Sequence, residues 1–249
     1  MAELSLASFN IHYGVRPGPE PHTGFDVTAA LATLDADVLV IQEVWRPDGG
    51  PSAVDDAARE LGFAIHHLEL GRATVRGRWP HVTTGSDSDG TIGVAIVTNL
   101  PTRIVERIVV GPTVGDPIRD RAVVRAALDV EGVTVQLVGV HLSSRLPHAP
   151  PIQLRRLARV VPPPGVPTIV AGDCNFWGPG VRTFFRGWRR AVRGRTWPAA
   201  HPHSQIDHVL VRAVDVEVLE GRVLPDLGSD HRPVRVRLRI PPGAAGATA

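Results

Sequence analysis

The chain has 249 residues, 43% of them hydrophobic and 21% charged, and a formal net charge of +2. That balance fits an ordinary soluble globular protein with a sizeable core, and no run approaches the roughly 18 consecutive apolar residues of a membrane helix. A single cysteine rules out an internal disulfide, and the 27 basic side chains are all arginine, so the small positive balance permits an anionic substrate without demanding one.

The N-terminus, MAELSLASFN, lacks the basic start and apolar run of a secretory signal, so a cytoplasmic protein is expected. Taken in chain order, short Val- and Ile-rich runs read as strands over 4–10, 37–44, 91–99, 121–130, 133–142, 167–173, 205–211 and 232–240. Helical patterns fill 26–36, 51–62 and 151–161, the last two opened by Pro51 and Pro151. Glu131-Gly132 marks a tight hairpin between two of the strands. In 232–240, valine, leucine and isoleucine alternate strictly with arginine, as expected of a half-buried strand in an antiparallel or mixed sheet. The segment after the motif AGDCN, VRTFFRGWRRAVRGRTWP, has two readings. Phe184, Phe185, Trp188 and Val192 suit a helical core stripe, which is the favoured one. Its arginines and aromatics also suit phosphate contacts and base stacking. The loop 71–90, with Arg72, Arg76, Arg78, Trp79 and His81, is long enough for a substrate lid. One α/β domain over 1–240 is expected, followed by a disordered tail at 241–249.

Polar side chains gather at the ends of these strands: Asn10, Glu43, His141, Asp173 and Asn175. SQID carries Asp207, and Asp230 and His231 stand just before the last strand. Each alone is more simply read as a turn residue, a cap or a satisfied structural histidine. Together they are expensive to bury unless paired or gathered around a cation. Oxygen donors without a thiolate set suit Mg²⁺ or Mn²⁺, and two histidines nearby supply a base for water and a donor for a departing oxygen. In an extended strand end, side chains alternate, which would turn Asp173 and Asn175 to the site and Cys174 away from it.

In this order, SFNIHYG, IQEV, GVHL, AGDCN, QIDHVLV and GSDHRPV resemble the endonuclease/exonuclease/phosphatase superfamily, over residues 5 to 240. The resemblance implies a four-layer sandwich of two packed mixed β-sheets flanked by helices, with the site at one end of the sheets. It implies a metal region of Glu43, Asn10 and Asp230. It implies that Asp173 and Asn175 position the attacking water and the phosphate. His231, oriented by Asp207, would contact the scissile phosphate, and His141 would be the second histidine. Two departures stand out: His12 occupies a position that is arginine or aspartate in many members, and His141 has no convincing carboxylate partner, Asp87 and Asp89 being candidates in what reads as a loop. Arg145 is a candidate phosphate contact. The function implied is divalent-metal-dependent hydrolysis of phosphate esters, chiefly phosphodiesters, with nucleic acid among the substrates. The alternatives are a small-molecule or lipid-head-group phosphoesterase and, outside enzymes, a nucleic-acid-binding protein without turnover. A monomer without a membrane span is expected.

Overall fold

A computed structural model describes residues 1–18, 24–75, 81–82, 88–212 and 214–241. Arg76, Arg78, Trp79 and the side chain of His81 from the expected lid, Asp87, and the expected tail from 242 onward lie outside the described residues.

The first sheet contains β1 (Ala2–Asn10), β2 (Val38–Pro47), β3 (Ala64–Thr74), β4 (His81–Val82) and β5 (Gly90–Thr98), completed by β12 (Glu217–Val223) and β13 (Val234–Ile240). The second contains β6 (Thr102–Val109), β7 (Ala122–Val130), β8 (Val133–His141), β9 (Thr168–Asp173), β10 (Trp188–Arg190) and β11 (Asp207–Arg212). Their strand orders are β12-β13-β1-β2-β5-β3-β4 and β10-β11-β9-β8-β7-β6. Each sheet is mixed: β1 runs parallel to β2 and β8 parallel to β9, while the other neighbours are antiparallel.

Apolar side chains of both sheets meet in one inner core, with Leu4, Leu6, Val38 and Ile96 from one side and Leu137, Ile169 and Val209 from the other. The outer face of the first sheet is covered by α1 (Val27–Leu34) and α2 (Ala53–Glu60), whose Leu31, Leu34 and Ala57 pack on Phe9, Leu39 and Ile41. The second sheet carries α3 (Ala149–Val160) through Leu154 and Leu157 against Val138 and Val170. Apolar residues on both faces of the central strands therefore build a four-layer α/β sandwich, as expected. Among the described residues no helix is long and apolar enough to cross a membrane.

Local chemistry explains the element ends. Ser52 and Asp55 form a reciprocal capping box at the start of α2, satisfying two amides that would otherwise lack partners. The expected hairpin is present, with Glu131 at φ +50° and Gly132 at φ +82° joining β7 to β8. The helix expected from the Phe184, Phe185, Trp188 and Val192 stripe is not. That segment is a 3₁₀ turn at Gly178–Thr183 followed by β10, and Gly187 at φ +77° lies between them in the left-handed region, which a helix does not tolerate. The apolar residues of the expected stripe are nonetheless in the core: Phe185, Trp188 and Val192 are buried and Phe184 is half-buried.

Candidate active site

Chain direction explains why the polar residues meet. In the parallel pair β1/β2, Asn10 lies beside Gln42, and in the parallel pair β8/β9, His141 lies beside Asp173. Four strands thus release their C-terminal ends at one edge of the sandwich. The antiparallel neighbours run the other way and contribute their beginnings. Asp207 of β11 pairs with Asp173, and β13 starts opposite Ser8, which brings 228–231 against Asn10. Ser229 Oγ pins that loop by donating 2.7 Å to the Asn10 carbonyl. Gly172 sits so close to the Val140 backbone that a Cβ would clash, which lets β9 approach β8 beside the site.

Glu43 reaches the site by a different device. The pairing of β2 with β5 shifts register between Gln42 and Val44, leaving Glu43 as the extra residue of a bulge at φ +55°. A bulge re-aims its side chain, and a non-glycine residue at positive φ is strained backbone of the kind found at functional sites.

The side chains form one network. Asn10 Nδ2 donates to Glu43 Oε1 and to Asp173 Oδ2, each at 3.1 Å, while its Oδ1 accepts from the His12 amide at 3.0 Å. Asp173 Oδ1 accepts from the Asn175 amide at 2.7 Å. His231 Nδ1 lies 2.9 Å from Asp207 Oδ2, and its Nε2 faces Asp173 at 3.8 Å and Asp230 at 4.0 Å. His141 Nε2 stands 3.7 Å from Glu43 and 3.9 Å from Asp173. His12 Nδ1 lies between Asp230 at 3.5 Å and Glu43 at 3.7 Å. These groups surround a cavity of about 490 Å³ that also exposes Tyr13, Arg121, Trp177 and Trp197.

Burial sets the charges. Burial raises the Asp173 carboxyl to about 7, with Asp207 adding to the effect and His231 opposing it. Burial also raises Glu43, and the charge of Asp230 raises it further. Burial alone would lower His231, but the charge and hydrogen bond of Asp207, with Asp173 and Asp230, carry it up to about 10. His141 goes the other way: burial and then the Arg121 charge lower it to about 3. Burial and its neighbours therefore make His231 an imidazolium and leave His141 a neutral imidazole. Asp173, Asp207 and His231 offer atoms within 4.8 Å of one another, a group that could hold a metal ion.

All eight strand-end residues come together. Glu43, His141, Asp173, Asn175, Asp230 and His231 line the cavity, while Asn10 and Asp207 stand behind it, fully buried. Arg145 lies exposed on the rim. Asp173 and Asn175 do share the site and Cys174 does face the apolar core, but simple strand alternation is not the cause. Asn175 is past the strand at φ +47°, in a turn closed by its own amide on Asp173 and by its Nδ2 on the Leu142 carbonyl at 2.9 Å.

The support of His141 was not visible in the sequence. Its carbonyl accepts from Arg121 Nη1 at 2.9 Å, and Arg121 forms a two-point pair with Asp116, both contacts at 2.7 Å. Gln153 of α3 ties this pair to the Ser143 amide. His141 Nδ1 is buried without a hydrogen-bond partner among the described residues. Trp197 Nε1, 3.4 Å from Asp230 Oδ2, was likewise missed. No sequence signal tied Arg121 or Trp197 to their partners, which are 20 and 33 residues away.

No curated protein matches the sequence. Among solved structures, an endonuclease/exonuclease/phosphatase from Beutenbergia cavernae is 22% identical with a TM-score of 0.75, covering 96% of this chain and 72% of its own. The human nocturnin catalytic domain with bound sulfate is 15% identical with a TM-score of 0.69, over 96% and 95%. A mannosyl-6-phosphatase from Bacteroides thetaiotaomicron is 14% identical with a TM-score of 0.67, over 95% and 100%. At these identities the likeness speaks for the fold. The sequence matches the Endonuclease/Exonuclease/phosphatase family over residues 7–231, from the middle of β1 to the last histidine of the site, and the chain belongs to that family.

Proposed function

We propose that the protein is a divalent-cation-dependent hydrolase of phosphate esters, acting on phosphodiesters. Members of its family are phosphoesterases, which supports the reaction class. One observation carries the reading furthest. Asp173, bridged by Asn10 to Glu43, and the His231–Asp207 pair converge on the floor of a single cavity.

The residues present fit a hard divalent cation. Glu43 and Asp230 face the same cavity, and burial together with the charge of Asp230 raises the cost of ionising Glu43, as expected where a counter-charge is wanted. Carboxylate oxygens suit Mg²⁺ or Mn²⁺, and such a cation supplies neutralisation of charge on phosphoryl oxygens. Asn10 serves by holding Glu43 and Asp173 in place, since its own oxygen is taken by the His12 amide.

The remaining work falls to the chain's side chains. His231, charged at neutral pH, presents Nε2 to the cavity and stabilises the phosphate oxygens as an imidazolium. A histidine already protonated is no base for water. Asp173, held near neutrality, is the better acceptor for that proton. Asn175 keeps Asp173 oriented, and neutral His141 donates a hydrogen bond to the phosphoryl group. Water then displaces the ester oxygen from phosphorus, its proton passes to Asp173, and the departing oxygen is protonated from solvent.

The test is hydrolysis of bis(4-nitrophenyl) phosphate with Mg²⁺ or Mn²⁺, with excess chelator, and with Asp173→Asn. Chelator should abolish turnover, and the variant should lose at least about a hundredfold, the lower bound for removing a general base. A full rate in chelator would overturn the cation dependence. An active, well-folded Asp173→Asn would overturn the role of Asp173.

A further inference from the structure

Between Asp173 and Asp207 the chain runs for 33 residues without an acidic side chain, yet it carries six arginines, Arg182, Arg186, Arg189, Arg190, Arg193 and Arg195. Several arginines elsewhere are paired: Arg235 with Asp35, Arg237 and Arg239 with Glu3, Arg125 with Glu106, Arg103 with Asp129. Among the described residues none of the six makes an ion pair. Gln205 Oε1 holds Arg190 Nη1 and the amide of Gly194, the residue after Arg193, and after burial the charges of Arg193 and Arg182 lower the pKa of Arg190. Accumulated positive charge of this kind costs stability through self-repulsion and is relieved by an anionic partner.

The cluster is joined to the cavity through Gly178 and Trp177 and is built rather than draped. Buried Gln205 accepts from Arg190 Nη1 at 3.1 Å and from the Gly194 amide at 3.3 Å, and its own Nε2 donates to the Val192 carbonyl at 3.1 Å. Arg190 Nη1 also lies against Gly178, the residue after Trp177. Trp177 lines the cavity, is 53% exposed, and stacks one face on Phe176 at 4.4 Å between ring centroids. Half of the Trp177 side chain stays exposed at the cavity, one residue before the Gly178 against which Arg190 lies.

We infer that Arg182, Arg190, Arg193 and Trp177 form a track for single-stranded nucleic acid, which holds the phosphates neighbouring the reacting one and stacks a base on Trp177. Arginine forks match phosphate oxygens, and an exposed indole accepts any base but only from a strand whose bases are unpaired. A lipid surface fits less well, because membrane-facing patches present several apolar side chains. Here Phe185 and Trp188 are buried and Phe184 is half-buried. The track as a substrate site rests on the phosphoesterase reading; its affinity for the strand does not.

The experiment is fluorescence anisotropy of labelled deoxyribo- and ribo-oligonucleotides, about 15 nucleotides long, in excess chelator at several salt concentrations. Arg182→Ala/Arg190→Ala/Arg193→Ala should weaken binding at least tenfold. It should also flatten the dependence of log K on log salt by about 2, near 0.7 for each lost phosphate contact on a single strand. Trp177→Ala should cost roughly 5- to 150-fold, the range for one lost base stack. Turnover of bis(4-nitrophenyl) phosphate should stay at the parent level in the arginine variant. If removing Arg190 from Gln205 destabilises the fold, the exposed pair Arg182→Ala/Arg193→Ala gives the same test. Equal binding by parent and variants would overturn the track. So would a parent that ignores oligonucleotides but binds vesicles of phosphatidylserine and phosphatidylcholine, released in the arginine variant. A parent that binds the strand but hydrolyses neither it nor the aryl diester would leave the track standing and overturn the proposed reaction.

Discussion

Cys174 stands between Asp173 and Asn175 yet packs with Val140, Leu142 and Phe176, and burial raises its thiol well above the ordinary range. A protonated, enclosed thiol is neither a nucleophile nor a cation ligand. Cys174→Ala should therefore keep the parent's turnover and cost about 1 kcal/mol of stability, as expected for a small buried group. Urea denaturation beside an activity assay measures both, and a folded but inactive Cys174→Ala would point to thiol chemistry instead. At this scale the sequence was informative about which residues meet, because chemistry-bearing side chains at strand ends have few structural reasons to be there. It was less informative about what orients them. The positive φ of Glu43 and of Asn175 arises from a bulge and a turn that depend on neighbouring strands. Arg121 looked like any other arginine until β7 was laid beside β8, where its guanidinium reaches the His141 carbonyl.

Among elements, the strands readable in the sequence were those buried on both faces, such as β5, in which every residue is buried, or alternating strictly, as β13 does. β3, β4, β6, β10 and β12 went unrecognised. Three of these, β4, β6 and β12, and the short β10 lie at sheet edges, and β12 is largely exposed. Histidines and charges on a strand's wet side hide its alternation, and β3 also carries a register shift between Glu69 and Gly71. The β7–β8 hairpin, by contrast, was legible because its turn chemistry is local. It is also imperfect: Glu131 holds φ +50° without being glycine or asparagine. Glu131→Asn should recover on the order of 0.5–1 kcal/mol of the roughly 1–2 kcal/mol that a left-handed side chain costs. The urea midpoint should rise with turnover unchanged, and an unmoved midpoint would mean the turn carries no such strain.

For the whole molecule, the four-layer architecture was inferred from motif order, whereas the strand order within each sheet needed the structure. The buried titratable groups give that architecture a pH dependence whose sign can be worked out. His231 is raised from 6.5 to about 10, so the folded chain keeps a proton that the unfolded chain has lost. The stability it lends is complete below about 6.5 and disappears as pH rises through about 10. Asp173, raised from 3.8 to about 7, has the same sign over a lower window. His141 and His208 oppose it, lowered from 6.5 to about 3 and about 4, mainly by burial. Below pH 6.5 the unfolded chain takes up protons at both that the folded chain refuses, and these two outweigh the single proton held by Asp173. His67, lowered by burial, and Glu43, raised by burial, offset one another in direction. Melting temperature in excess chelator should therefore peak between about pH 6 and 7 and fall on both sides. His231→Gln should remove the decline between about pH 7 and 8, below the range in which the raised Cys174 thiol also keeps a proton that the unfolded chain loses. A melting temperature that keeps rising above pH 8, or an alkaline decline unchanged in His231→Gln, would mean that Asp207 does not hold His231 as an imidazolium. The phosphate-binding role proposed for His231 would fall with it.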